Sequence, residues 1–181
     1  MAVLKVKTLS ELRALQREPV DSETYATAGE IVEHVRKGGQ KALLQEAERL
    51  GDITSGQRIA YDRAALELAV QELGDHERGV LERSAQRIQK FAQGQRGCLR
   101  DFEIEIPGGR AGHVFTPVDS AGCYAPGGRF SLPSTVLMTT VTARLAGVER
   151  VMVASPKPTP VTLAAAGIAG ADSLVAVGGA Q

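Results

Sequence analysis

The sequence predicts an α/β protein: a mainly helical N-terminal region followed by the first half, β-α-β-α-β, of a doubly wound parallel sheet. Three observations predict it. Of the 42 charged residues, 36 fall in residues 1–120, which leaves residues 121–181 only Arg129, Arg144, Glu149, Arg150, Lys157 and Asp172. That second part alternates short, nearly uncharged apolar runs with helical stretches, the pattern of parallel strands covered by helices on the faces of the sheet. Glycine-bearing loops follow its first and third apolar runs, at Pro126 to Ser134 and at Gly178 to Gln181.

In the first part, Thr8 and Glu11 have capping-box spacing ahead of Leu9, Leu12 and Leu15. A second helix runs from about Ser22 to Lys37, with Ala28, Ile31, Val32 and Val35 on one face, and ends at Gly38-Gly39. A third covers Gln40 to Leu50 and stops at Gly51, and Gln57 to Tyr61 reads as a short strand. Asp62 caps a helix through Leu73. Asp75 opens a longer one in which Leu81, Ala85, Ile88 and Phe91 fall at helical spacing. Phe102, Ile104 and Ile106 then alternate with charged neighbours, Pro107-Gly108-Gly109 makes a turn, and Arg110 to Thr116 returns as the second strand of a hairpin.

In the second part, Ala121 to Ala125 is a strand broken by Pro126-Gly127-Gly128, and Pro133-Ser134 opens a helix to about Ala146. Arg150 to Ala154 is the next strand, a helix follows the turn Ser155 to Pro160 and runs to about Ala169, and Ser173 to Val177 is the third strand. In an open parallel sheet, ligands bind at the carboxyl ends of the strands, so both glycine loops belong on one edge. Glycine permits close approach to the backbone, and a helix beginning at Pro133-Ser134 offers N–H groups and a positive dipole end to an anionic group such as a pyrophosphate. A nucleotide cofactor is the candidate ligand; the alternative is that these glycines only make tight turns. The loop does not read GxGxxG, so the ordinary dinucleotide fingerprint is absent.

Composition bounds the remaining possibilities. Lys and Arg balance Asp and Glu at 21 each, which removes the basic footprint of a nucleic-acid partner. No stretch has the apolar length of a membrane span, and Met1 to Arg17 lacks the apolar core of a secretory signal, so a cytoplasmic protein is expected. Cys98 and Cys123 have no CxxC spacing, and Cys123 sits in an apolar strand, where an inert buried thiol is the rule. His34, His76 and His113 lie 42 and 37 residues apart and show no metal-ligand spacing. Arg129, in the glycine loop, is either a phosphate contact or a solvated side chain.

Several motifs in one order carry a resemblance. Tyr124-Ala-Pro-Gly-Gly-Arg, Pro133-Ser-Thr-Val-Leu-Met138, Ala146-Gly147-Val148, Ser155-Pro156 with Pro158, and Val177-Gly-Gly-Ala-Gln181 closely resemble the histidinol dehydrogenase family. Pro107-Gly108, Pro117-Val118 and Val35 to Leu43 extend it upstream over nearly the whole chain, with Gln40 departing from the Asp common there. The resemblance implies a zinc- and NAD-dependent enzyme that oxidises L-histidinol to L-histidine through an aldehyde, histidinal, and works as a homodimer. It also implies a Rossmann-like cofactor domain starting at residues 121–181, preceded by a first α/β domain at 21–120, with its hairpin at 100–117, and by an arm at 1–20. Tyr124 and Gln181 match positions that contact NAD, and Pro126, Gly127 and Gly128 share the loop. By the same resemblance, the zinc ligands and a catalytic Glu-His pair lie beyond Gln181. The chain therefore reads as the N-terminal portion of a longer enzyme, inactive alone. The rival readings are a related zinc- and NAD-dependent dehydrogenase of another small alcohol, and a non-catalytic truncated product.

Overall fold

The computed structural model describes residues 8–14, 20–127 and 130–178. Helix α1 (Leu9–Ala14) begins with the expected reciprocal cap: the Thr8 N–H donates to Glu11 Oε2 at 2.6 Å and the Glu11 N–H to Thr8 Oγ1 at 3.3 Å. Leu15 lies outside the described residues. Helix α2 (Ser22–Arg49) is capped by Asp21, whose Oδ1 accepts the Thr24 N–H at 2.8 Å. It is broken at Gly39, which sits at φ 56° and ψ −142°, so the two helices expected around Gly38-Gly39 are two runs joined at a kink. On the first run Ile31 is buried, whereas Val32 is exposed.

Strand β1 (Ala60–Asp62) falls slightly later than its expected range, and Asp62 both ends the strand and caps α3 (Arg63–Glu72) by accepting the Ala65 N–H at 3.0 Å. Helix α4 (Asp75–Gly97) buries Leu81, Ala85 and Ala92. The expected fourth member of that stripe is wrong: Phe91 is 70% exposed, and Ala92 takes the inward position one residue on. Strands β2 (Phe102–Ile106) and β3 (Gly109–His113) pair antiparallel as a separate ribbon whose residues are all exposed, so the return strand is shorter than expected.

Strands β4 (Ser120–Tyr124), β5 (Arg150–Ala154) and β6 (Ser173–Val175) alternate with α5 (Pro133–Leu145) and α6 (Pro160–Ala169), as the second part of the sequence predicts. The sheet runs β1-β6-β5-β4, with β4, β5 and β6 parallel and β1 added antiparallel to the edge of β6. The strand was expected, but not its place in this sheet.

Helices cover one face. Leu66 of α3, Leu81 of α4, Val136 and Leu137 of α5, and Ala164 to Ala166 of α6 close over Cys123, Val151, Val153 and Leu174 of the strands. The alternate strand positions point the other way, and there Met152 is half exposed and Gly122 exposed. The expectation of helices over the faces of the sheet thus holds for one of them among the described residues, and β5 alternates in burial like a half-covered strand. Near the strand ends, Ala47 of α2 and Ile53 pack with Ala176 in a second, smaller cluster. At the amino edge, Arg144 ties the layers together: its guanidinium donates to the carbonyls of Gly170 at 2.8 Å and Val148 at 3.2 Å and pairs with Asp172 at 2.6 Å.

Candidate functional site at the carboxyl edge of the sheet

Register sets the site. Tyr124 pairs with Ala154 and Ala154 with Val175, so β4, β5 and β6 end in one row. The chain leaves them through Ala125-Pro126-Gly127, Ser155-Pro156-Lys157 and Ala176-Val177-Gly178, all on the same edge. The row continues for one residue, because the Ala125 N–H donates to Ala154 O at 2.9 Å and the Ser155 N–H to Val175 O at 3.0 Å.

Pro156 is the hub of the three loops. A Cβ on Gly127 would lie 2.6 Å from Pro156 Cγ and 2.7 Å from its carbonyl oxygen, and one on Gly178 would lie 2.5 and 2.6 Å from Pro156 Cγ and Cδ. No side chain fits at either position, so the two glycines let the loops close over the proline and leave bare backbone beside Tyr124. The two glycine loops lie on one edge, as the sequence argument requires.

Behind this edge lies an apolar cleft of about 430 Å³ between α2 and the strand ends. Ile31, Val35, Leu43 and Ala47 wall one side, Tyr124, Ala154 and Val177 the other. Its polar groups are few and held. Asp52 is 8% exposed, and its Oδ2 accepts the Gly178 N–H at 2.7 Å, tying the end of α2 to the loop after β6. Burial, and then the charge of Asp52, push the Tyr124 phenol above its ordinary range, so it remains a protonated donor. Glu46 is held below the usual carboxylate range by hydrogen bonds from His34, at 2.7 Å, and from Arg49.

Tyr124, Pro126 and Gly127 come together here with Gly178. Gly128, Arg129 and Gln181 lie outside the described residues. Cys123 is buried in the core and Cys98 is exposed on a different face, and both are free thiols. The residues present do not fit zinc: His34 is bonded to Glu46, His113 Nε2 lies 3.1 Å from the Arg100 carbonyl, and among the described residues no three His, Cys, Asp or Glu converge. No helix among the described residues is long and apolar enough to cross a membrane. Asp52 was missed from sequence, since its partner stands 126 residues away and nothing local marks it.

Comparison with known proteins accounts for this arrangement. The histidinol dehydrogenase family model matches residues 15–181. Histidinol dehydrogenase of Haloarcula marismortui is 41% identical over 155 residues, covering 84% of this chain and 36% of that protein, and that of Methanococcus maripaludis is 35% identical over 189 residues, covering 100% of this chain and 44% of the relative. The chain thus spans less than half the length of these curated relatives. The crystal structure of histidinol dehydrogenase from Elizabethkingia anophelis shares the fold, with a TM-score of 0.77 at 24% identity over 97% of this chain and 42% of that one. With its parallel half-sheet, its loops closed over Pro156 and a family match running from residue 15 to residue 181, this chain belongs to the histidinol dehydrogenase family.

Proposed function

We propose that this chain forms the cofactor-holding portion of an NAD-dependent histidinol dehydrogenase, which oxidises L-histidinol to L-histidine through histidinal in histidine biosynthesis. The observation that carries the reading is the convergence of the loops after β4 and β6 over Pro156, beside a Tyr124 kept protonated at the mouth of an apolar cleft. A dinucleotide needs such an edge: bare backbone for close approach, an aromatic face, and a hydroxyl that can donate or accept. NAD supplies the hydride acceptor when bound. Tyr124 holds it by ring contact and hydroxyl, Pro126 and Gly127 form the floor of the loop, and Gly128 and Gln181 complete the set by family resemblance.

Residues 121–181 are then the start of the cofactor domain, residues 21–120 the first domain and residues 1–20 an arm. The whole enzyme is a cytoplasmic homodimer, and its zinc ligands and its Glu-His pair come from segments other than those described here. Residues 121–181 contain no His, and their one Glu, Glu149, precedes β5 at the opposite edge of the sheet, while the carboxylates that line the cleft with Tyr124, Asp52 and Glu46, are engaged by the Gly178 N–H and by His34 and Arg49.

Calorimetric titration of the 181-residue chain with NAD tests the proposal. Saturable binding that weakens in Tyr124→Ala is expected, with no NADH formed on adding L-histidinol and no stoichiometric zinc by elemental analysis. Turnover with bound zinc would show that the active site has been mislocated, and NAD binding indifferent to Tyr124 would remove the cofactor from this edge.

A further inference from the structure

Helix α2 ends in a turn whose make-up runs against the stability of the helix itself. After the capping residue Leu50, Gly51 stands at φ 71° with its N–H donating to the Glu48 carbonyl at 3.0 Å, and the Asp52 N–H donates to the Ala47 carbonyl at 2.8 Å. This is the paired closure of a helix by a left-handed glycine, in which the residue after the glycine is often apolar and packs back on the last turn. Here that residue is an aspartate, 8% exposed. Its carboxylate carries two penalties, since burial disfavours a charge and the carbonyl end of a helix repels an anion. What offsets them comes from across the fold: Oδ2 accepts the Gly178 N–H at 2.7 Å, a charge-assisted bond to a residue 126 positions on.

The residues on either side of Asp52 reach the same edge. Ile53 packs with Ala176, the first residue after β6. The ammonium of Lys157, in the loop after β5, stands 3.9 Å from where a Cβ on Gly51 would lie. The turn that ends α2 therefore touches two of the three loops that close over Pro156. Asp52 also lines the apolar cleft together with Tyr124, at the end of β4, and its charge adds to burial in raising the phenol. Glu46, the other carboxylate of the cleft, is engaged by His34 and Arg49.

We propose that Asp52 is a positioning residue of the cofactor edge: by holding the Gly178 N–H it sets the course of the loop after β6, which leads in sequence to Gln181, relative to Tyr124. Its effect on the cofactor rests on the NAD reading above, whereas its ordering of the loop does not. Two variants of the 181-residue chain separate charge from shape. Asp52→Asn keeps an oxygen that can accept from Gly178 and removes the charge. Asp52→Leu removes both and installs the apolar residue common in such a turn, so the helix end is preserved, which circular dichroism and the thermal midpoint verify. Each is read by amide exchange at Gly178 in NMR, by calorimetric titration with NAD, and by tyrosinate absorbance against pH, measured against the matching Tyr124→Phe chain so that Tyr124 alone is seen.

Expected in Asp52→Leu are Gly178 exchange about tenfold faster and NAD affinity about tenfold lower, with the thermal midpoint nearly unchanged. Asp52→Asn should recover most of both, with exchange about threefold faster than in the parent, because a neutral acceptor bonds more weakly. In both variants Tyr124 should ionise at lower pH, since the anion that opposed the tyrosinate is gone. A parent chain that binds NAD, with Asp52→Leu binding it as tightly, would overturn the positioning role and leave the cofactor reading intact. A parent that does not bind NAD, but whose Gly178 exchange depends on Asp52, supports the ordering of the loop and overturns the cofactor reading instead. Should Asp52→Leu fail to fold, Asp52→Asn decides: a Gly178 amide and a Tyr124 titration both unmoved would overturn the proposal altogether.

Discussion

Pro156 offers a way to test the carboxyl edge through its geometry alone. In Gly178→Ala the new methyl meets Pro156 Cγ at 2.5 Å, Cδ at 2.6 Å and Cβ at 2.9 Å, all atoms of the ring. In Gly127→Ala it meets Cγ at 2.6 Å but also the Pro156 carbonyl oxygen at 2.7 Å, which is backbone. Overpacking of this kind costs about 1–3 kcal/mol, so each single variant should lose about 2 kcal/mol. With a urea slope of about 2 kcal/mol/M, that is a midpoint lowered by about 1 M. Pro156→Ala removes Cγ and Cδ. It should therefore rescue Gly178→Ala by about 1 kcal/mol in a double-mutant cycle, and rescue Gly127→Ala less, since the carbonyl contact survives. Urea unfolding followed by circular dichroism on the four single and double variants, with Pro156→Ala as reference, measures both couplings. Equal coupling for the two glycines, or none for Gly178, would refute the picture of three loops closed on one proline ring.

Other outcomes follow from the same contacts. Tyr124→Ala should weaken NAD several-fold, about 1 kcal/mol, in a calorimetric titration. The phenol is raised in the folded state, so its contribution to stability is present below the unfolded value near pH ~10 and lost as pH rises through the folded one; Tyr124→Phe should flatten that alkaline limb of the unfolding profile. Asp172 feels a burial effect that raises it, outweighed by the Val151 N–H and Arg144, which leave it lowered. Its contribution is present above the unfolded value near pH ~4 and lost as pH falls through the folded one, so Asp172→Asn should flatten the acid limb measured by denaturant titration. Gly167→Ala would set a methyl 2.8 Å from the Leu66 carbonyl oxygen and 2.9 Å from Val70 Cγ2 where α3 crosses α6, and should cost about 2 kcal/mol by thermal unfolding.

What could be read from the residues alone was whatever rests on local chemistry. The caps at Thr8 and Asp62 act within three residues, and the β-α-β-α-β order shows in the loss of charge after residue 120. The strand β1 was placed nearly correctly but its role was not, because three residues carry no signal of which strand they will join. Phe91 was assigned inward because a large apolar residue at helical spacing looks like core, whereas the close α4 packing admits the methyl of Ala92 instead. At the site, Tyr124 and the glycines were legible as the end of a strand and its loop. Asp52 takes its meaning from Gly178 across the fold, and sequence spacing cannot report that.

The antiparallel strand at the edge of the sheet also sets an order of events in synthesis. Ala60 waits for Val175, and Asp52 for the N–H of Gly178, so two ties of the carboxyl edge close only after more than a hundred further residues have been made. At about 5–20 residues per second, that interval is roughly ten seconds. Throughout it, Tyr61 and the apolar side of α2 have no sheet to lie against, and only in its last stretch, once Ala154 has been made, can β4, β5 and the helix between them associate. A nascent chain of this family therefore passes through a stage in which the cofactor edge exists in outline but the segment that buttresses it hangs free, the stage at which a holdase chaperone would find the most to bind.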